Sequence, residues 1–123
     1  MRVGNRKTGV RVRLVFEPDV AFGPGKADLL EAIAETGSIA AGGRRMGMSY
    51  KRAWTLVEAL NGDFAEPLVD STRGGAQGGG ARLTAAGEKV LALYRRLEDR
   101  AGDATRAEVA AMRDLLRDIP ERK

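Results

Sequence analysis

Apolar and polar residues alternate at the start of the chain. Val10, Val12, Leu14 and Phe16 fall on one side of an extended backbone, and Arg11, Arg13 and Val15 on the other. Period two is the mark of a half-buried strand, which needs a partner strand to pair with. Pro18, Gly23, Pro24 and Gly25 then read as a turn. From about Lys26 to Glu35 the period becomes helical, with Leu29, Leu30 and Ile33 as the buried stripe of a supporting helix. Ser38 offers an N-cap to a short helix, Gly47 and Met48 interrupt it, and Ser49 offers a second cap. Beyond Ser49, Ala53, Val57, Leu60 and Phe64 recur at helical spacing, and Trp54 and Leu56 widen the stripe, so one face is buried. Pro67 ends helical geometry. Leu68, Val69, Ser71 and Thr72 favour a strand, and Ala81 to Leu83 form a short return strand after a glycine-rich tip. Thr84, with Glu88, opens a long helical pattern reaching about Arg117.

These elements predict a mostly α chain with a small β-sheet. Two helices joined by a short glycine turn follow the helix-turn-helix grammar, and a glycine-rich hairpin follows them. Residues 1–83 form that unit with its N-terminal strand, and residues 84–123 a long C-terminal dimerisation helix and tail. In that last helix Val90, Leu97, Ala104 and Ala111 are spaced by seven, with Tyr94, Ala101 and Leu115 offset by four. Such spacing is that of a two-helix seam, here broken by Gly102 and Glu108. Val90, Tyr94, Leu97, Ala101 and Leu115 are the expected dimer interface; the helix's many charged residues read as a solvated outer face.

Composition narrows the possibilities. The 123 residues are 43% hydrophobic, enough for one small core. Cysteine and histidine are both absent, which excludes a disulfide framework, a Cys/His zinc site, a thiol nucleophile and a histidine base. No catalytic residues, metal or cofactor are expected. Acidic pairs such as Asp99 and Asp103 sit in a heavily charged helix and are not read as a general acid/base pair. No apolar run approaches the ~20 residues that span a bilayer, and the basic N-terminus lacks a signal-peptide core. A soluble, cytoplasmic protein is expected, without a membrane partner.

The distribution of charge matters more than its net value of +4. Residues 36–57 carry +4 with no acid, residues 71–87 carry +2, and residues 1–16 carry +5. These segments hold +11, so the remainder is −7. A segregated basic face is the electrostatic footprint of a phosphate-backbone partner. On the second helix of the pair Lys51, Arg52 and Thr55 project together, opposite the buried stripe. Donors at the N-terminal end of such a helix suit a DNA major groove, with Arg and Lys matched to guanine edges or phosphates. Five of the seven residues 74–80 are glycine; a tip without side chains can approach a sugar-phosphate backbone closely. A Walker-type phosphate loop is excluded, because no Gly-Lys-Ser/Thr follows.

The runs LLEAIAETGSIAAGGRRMGMSYKRAWTLVEALN and PLVDSTRGGAQGGGARLTAAG resemble the N-terminal DNA-binding domain of the molybdate-dependent transcriptional regulators of the ModE type, over roughly residues 10–97. The resemblance implies a winged helix-turn-helix related to that of LysR-type regulators. It also implies a homodimer on a two-fold symmetric operator in double-stranded DNA, and regulation of molybdenum-related genes. On matching positions Ser49, Tyr50, Lys51, Arg52 and Thr55 become groove and phosphate contacts, with Arg73, Gln77 and Arg82 as the wing; Ser38, Arg44 and Arg45, in the acid-free segment, are expected to bind DNA beside them. Gly42 and Gly43 stand where the family has alanine. At ~1 kcal/mol each relative to Ala, they imply either a softer first helix or an unusually close helix crossing. Members bind molybdate in a C-terminal region; this chain stops at Lys123, so no oxyanion site carries over. Two other readings remain beside the operator-specific regulator: a weakly specific nucleoid-type DNA binder, and a basic protein-interaction module.

Overall fold

A computed structural model describes residues 9–72 and 80–117. The order is β1 (Leu14–Phe16), β2 (Val20–Phe22), α1 (Pro24–Thr36), α2 (Ile39–Arg45), α3 (Tyr50–Asp63), β3 (Val69–Thr72), β4 (Gly80–Leu83), α4 (Ala85–Ala104) and α5 (Arg106–Asp114). The expected winged helix-turn-helix is what the chain adopts, with two differences. The N-terminal strand finds its partner at once: β1 and β2 form an antiparallel hairpin pairing Leu14 with Phe22 and Phe16 with Val20. In sequence that stretch reads as a turn, because the three residues of β2 are too few to display a period. The long C-terminal helix is also two helices, α4 and α5. At the break the Thr105 hydroxyl donates to the Ala101 carbonyl at 2.7 Å, an alternative partner of the kind that makes threonine a poor helix-interior residue.

α1 is the hub. Pro24 at its first turn has φ already fixed for a helix. At its far end Gly37 takes φ +82 and donates its N–H to the Ile33 carbonyl at 2.8 Å, the left-handed cap that glycine adopts without a Cβ penalty. Ala27, Leu29, Leu30, Ala32 and Ile33 are fully buried, and Ala53, Val57, Leu60, Leu68, Leu83 and Tyr94 close the core around them. The paired glycines of α2 mark a close crossing. A Cβ on Gly42 would lie 2.9 Å from Cγ1 of Ile33 on α1, and one on Gly43 2.7 Å from Cβ of Ala53 on α3. Their lost helix propensity is exchanged for a close approach of α2 to α1 on one side and to α3 on the other.

α4 enters the core over Gly87, Tyr94 and Glu98. Tyr94, expected at a dimer seam, is only 2% exposed within its own chain. Its ring meets Phe22 edge-on with centroids 5.1 Å apart, and its hydroxyl donates to the Val12 carbonyl at 2.5 Å. Burial pushes its pKa up and the nearby Glu98 carboxylate adds to this, keeping the hydroxyl protonated and donating. Nor is the charged face of α4 wholly solvated. Arg95 reaches back to α1, donating to Asp28 at 2.8 Å and Glu31 at 2.8 Å, and along its own helix to Glu98 at 3.0 Å. Burial works against its charge, but the three carboxylates outweigh it and hold the guanidinium above the usual arginine range.

Candidate nucleic-acid interface

The second helix of the pair is built to present one face. Ser49 caps α3, its hydroxyl accepting from the Arg52 N–H at 3.1 Å, and the first turn carries no acid. The helix N-terminus therefore keeps its partial positive charge. Ala53, Val57 and Leu60 anchor the inner face. On the outer face Lys51, Arg52 and Thr55 are all exposed, and with Ser49 and Leu56 they line a shallow depression of about 290 Å³. Tyr50 is 57% exposed and stacks on Trp54, with ring centroids 6.3 Å apart and planes 20° apart. Aromatic surface and two cations that make no ion pair among the described residues thus share one end of α3.

Other expected contact residues are placed differently from one another. Ser38 is committed to capping α2, accepting from the Ala41 N–H at 2.9 Å. Arg44 is exposed, whereas Arg45 is ion-paired with Glu35 and would have to exchange that carboxylate for a phosphate. Arg82 projects from β4, 82% exposed, opposite Asp70 on β3 at 3.8 Å. So open a surface pair is worth little, and it leaves the guanidinium available. Arg73 and Gln77 lie outside the described residues. Two features that fix the wing against α3 escaped the sequence reading. The Asn61 side chain accepts from the Leu68 and Val69 N–H groups at 2.8 and 3.0 Å and donates to the Val69 carbonyl at 3.1 Å. The Ala81 N–H donates to the Gly37 carbonyl at 2.8 Å, tying β4 to the turn after α1. An asparagine one turn from a helix end has no sequence signal distinguishing a clamp from a solvated residue.

Of the expected dimer residues, Val90 and Leu97 remain half-buried and line an apolar groove between the β1–β2 hairpin and α4, with Leu14, Phe16, Phe64 and Leu93 among its other walls. Phe16 and Leu93 are each about half exposed there. Ala101 is half-buried further along α4, and Leu115 lies just beyond α5, exposed. Among the described residues no group of three or more Asp, Glu, Cys or His could hold a metal ion, and no helix is long and apolar enough to cross a membrane.

Residues 26–88, from the first turn of α1 to the first turn of α4, match the sequence profile of bacterial regulatory helix-turn-helix proteins of the lysR family. The chain belongs to this family. Among curated relatives, it is 50% identical over 77 residues to the molybdenum-pterin-binding protein MopB of Rhodobacter capsulatus, which covers 63% of this chain and 28% of the relative. It is 41% identical over 88 residues to the molybdenum transport protein ModE of Azotobacter vinelandii, covering 70% and 33%. The chain thus spans about a third or less of these relatives, and the ModE-type resemblance read from the sequence is borne out over that part. Among solved structures, the crystal structure of the CbnR DBD–DNA complex matches with a TM-score of 0.55 and 29% identity, over 71% of this chain and 94% of that one. Full-length CbnR complexed with its target DNA matches with a TM-score of 0.51 and 30% identity, over 67% of this chain and 28% of that one. The LysR-type match leaves out the β1–β2 hairpin and most of α4.

Proposed function

We propose that this chain is the DNA-reading part of a dimeric transcriptional regulator of molybdenum-related genes. It sets α3 into the major groove of a two-fold symmetric operator, with the β3–β4 wing on the flanking backbone. The observation that carries this reading is the outer face of α3, where Lys51, Arg52 and Thr55 are exposed beside the exposed ring of Tyr50 on a helix anchored through Ala53, Val57 and Leu60. Arg52 is the base-reading side chain of this set, and Lys51, Arg44 and Arg82 act on phosphates, which position the protein without carrying sequence information. The DNA complexes of CbnR and the molybdenum-related names of MopB and ModE support the two halves of the proposal.

Fragments selected by the protein from its source genome provide the test. Affinity of the wild type for a selected fragment should exceed that for a scrambled duplex by a factor of about 10³ or more. Arg52→Ala should forfeit about 1–3 kcal/mol of that discrimination, the worth of one bidentate base contact. Equal affinity of the wild type for both duplexes would make it a nucleoid-type binder, and no affinity for either would leave a basic protein-interaction module.

A second copy of the chain covers the apolar groove beside α4. Exposed Leu93 and half-buried Val90 and Leu97 lie three and four residues apart on one helix face, a stripe suited to a facing helix. Leu93→Glu should convert the dimer to a monomer in sedimentation while costing the folded protomer little, since that side chain is half exposed. A monomeric wild type would sink the dimer.

A further inference from the structure

We propose that the β1–β2 hairpin extends the DNA-contacting surface beyond the helix-turn-helix, through Arg13 as a further anchor for a backbone phosphate. The inference rests on the reading of α3 as the DNA-reading helix. A second depression, of about 350 Å³, adjoins the first, and Arg52 is a wall of both. Its other cations are Arg13 and Lys26, and no carboxylate lines it. Lys26 is fixed at this rim by a 2.7 Å hydrogen bond from its ammonium to the Ala21 carbonyl. The stem of Arg13 packs beside Gly23, at van der Waals distance from where a Cβ on that residue would stand, 3.5 Å from Arg13 Cγ. Among the described residues Arg13 makes no ion pair, in contrast to Arg45, Arg82, Arg95 and Arg106.

An acid-free hollow with three cations, one of them on the reading helix, is suited to a polyanion that continues past that helix. A duplex lying along α3 has such a continuation in its own sugar-phosphate backbone. The hairpin lies outside the segment that the LysR-type profile matches, so this contact lies beyond the shared helix-turn-helix. It would add affinity and salt dependence without base discrimination.

The test compares wild type, Arg13→Ala and Arg13→Lys on a random-sequence duplex and on a genome-selected fragment, between about 50 and 200 mM salt. In Arg13→Ala the slope of log affinity against log salt should become shallower by about one unit on both duplexes. The ratio of specific to random affinity should stay unchanged, and Arg13→Lys should restore the slope. An unchanged slope in Arg13→Ala, with wild type binding normally, would overturn the hairpin contact and leave the reading of α3 standing. A collapsed ratio would overturn it too, by making Arg13 a support for α3. A wild type without salt-dependent affinity would overturn the reading of α3 and the hairpin contact together.

Discussion

Replacing Arg95 by methionine should lower the free energy of unfolding by about 3–5 kcal/mol, the usual cost of removing one partner from a buried charge pair. The Asp28 side chain is 1% exposed and the Glu98 side chain 5%, and both face the guanidinium at hydrogen-bond distance, as does Glu31. Methionine roughly fills the stem volume, so the loss isolates the charge. It removes the guanidinium that Asp28, Glu31 and Glu98 share between α1 and α4. Against a total stability of about 5–15 kcal/mol for a domain of this size, such a loss is at least about a fifth of the margin. Urea denaturation measures it directly. Adding Asp28→Asn to the Arg95→Met background should return part of the loss, because the two groups are coupled. A single-variant loss below about 1 kcal/mol would mean that water has access to the cluster and screens it.

Gly87→Ala is expected to cost about 3 kcal/mol, although alanine is the better helix former by about 1 kcal/mol. An added Cβ would stand 2.1 Å from the Leu68 carbonyl oxygen, and that oxygen is not free to retreat. It accepts from the Thr84 N–H at 2.9 Å, while the Leu68 N–H is held by Asn61 at 2.8 Å and the Thr84 hydroxyl donates to the Pro67 carbonyl at 2.7 Å. The same clamp sets the wing relative to α3, so relief of the clash must move one against the other. Gly62→Ala is the matched control. Its site is on exposed α3 surface with nothing within 4 Å, and it should gain up to about 1 kcal/mol. Equal effects of the two substitutions in urea denaturation would contradict the close approach.

The helix-turn-helix was legible because its signals are local. Ser38 and Ser49 cap the helices they were expected to cap, and Ala53, Val57 and Leu60 bury the face their spacing marked. Gly42 and Gly43 announced either a soft helix or a close crossing, and only the positions of Ile33 and Ala53 decide between them. What escaped is long-range. Tyr94 fits a seven-residue seam as well as it fits a core, and its partners there are distant in sequence, Phe22 against its ring and the Val12 carbonyl, 82 residues away, on its hydroxyl. Arg95 and Glu98 look like ordinary surface charges until α1 brings Asp28 and Glu31 to them from more than 60 residues away. Strand β2 was hidden by its length, three residues between a turn and a helix start. The basic face was predictable as a sum of charges, but which arginines are occupied, such as Arg45 by Glu35, is a matter of packing.

Trp54 offers the most direct measurement of whether DNA meets the N-terminal end of α3. It is the chain's single tryptophan, and it stacks beneath the exposed ring of Tyr50. Titrating the protein with a genome-selected duplex should therefore change Trp54 emission in step with the anisotropy of the labelled DNA, both saturating at the same ratio of protein to duplex. Anisotropy that rises to saturation while Trp54 emission stays constant would place the DNA on another face and contradict the assignment of α3 as the reading helix.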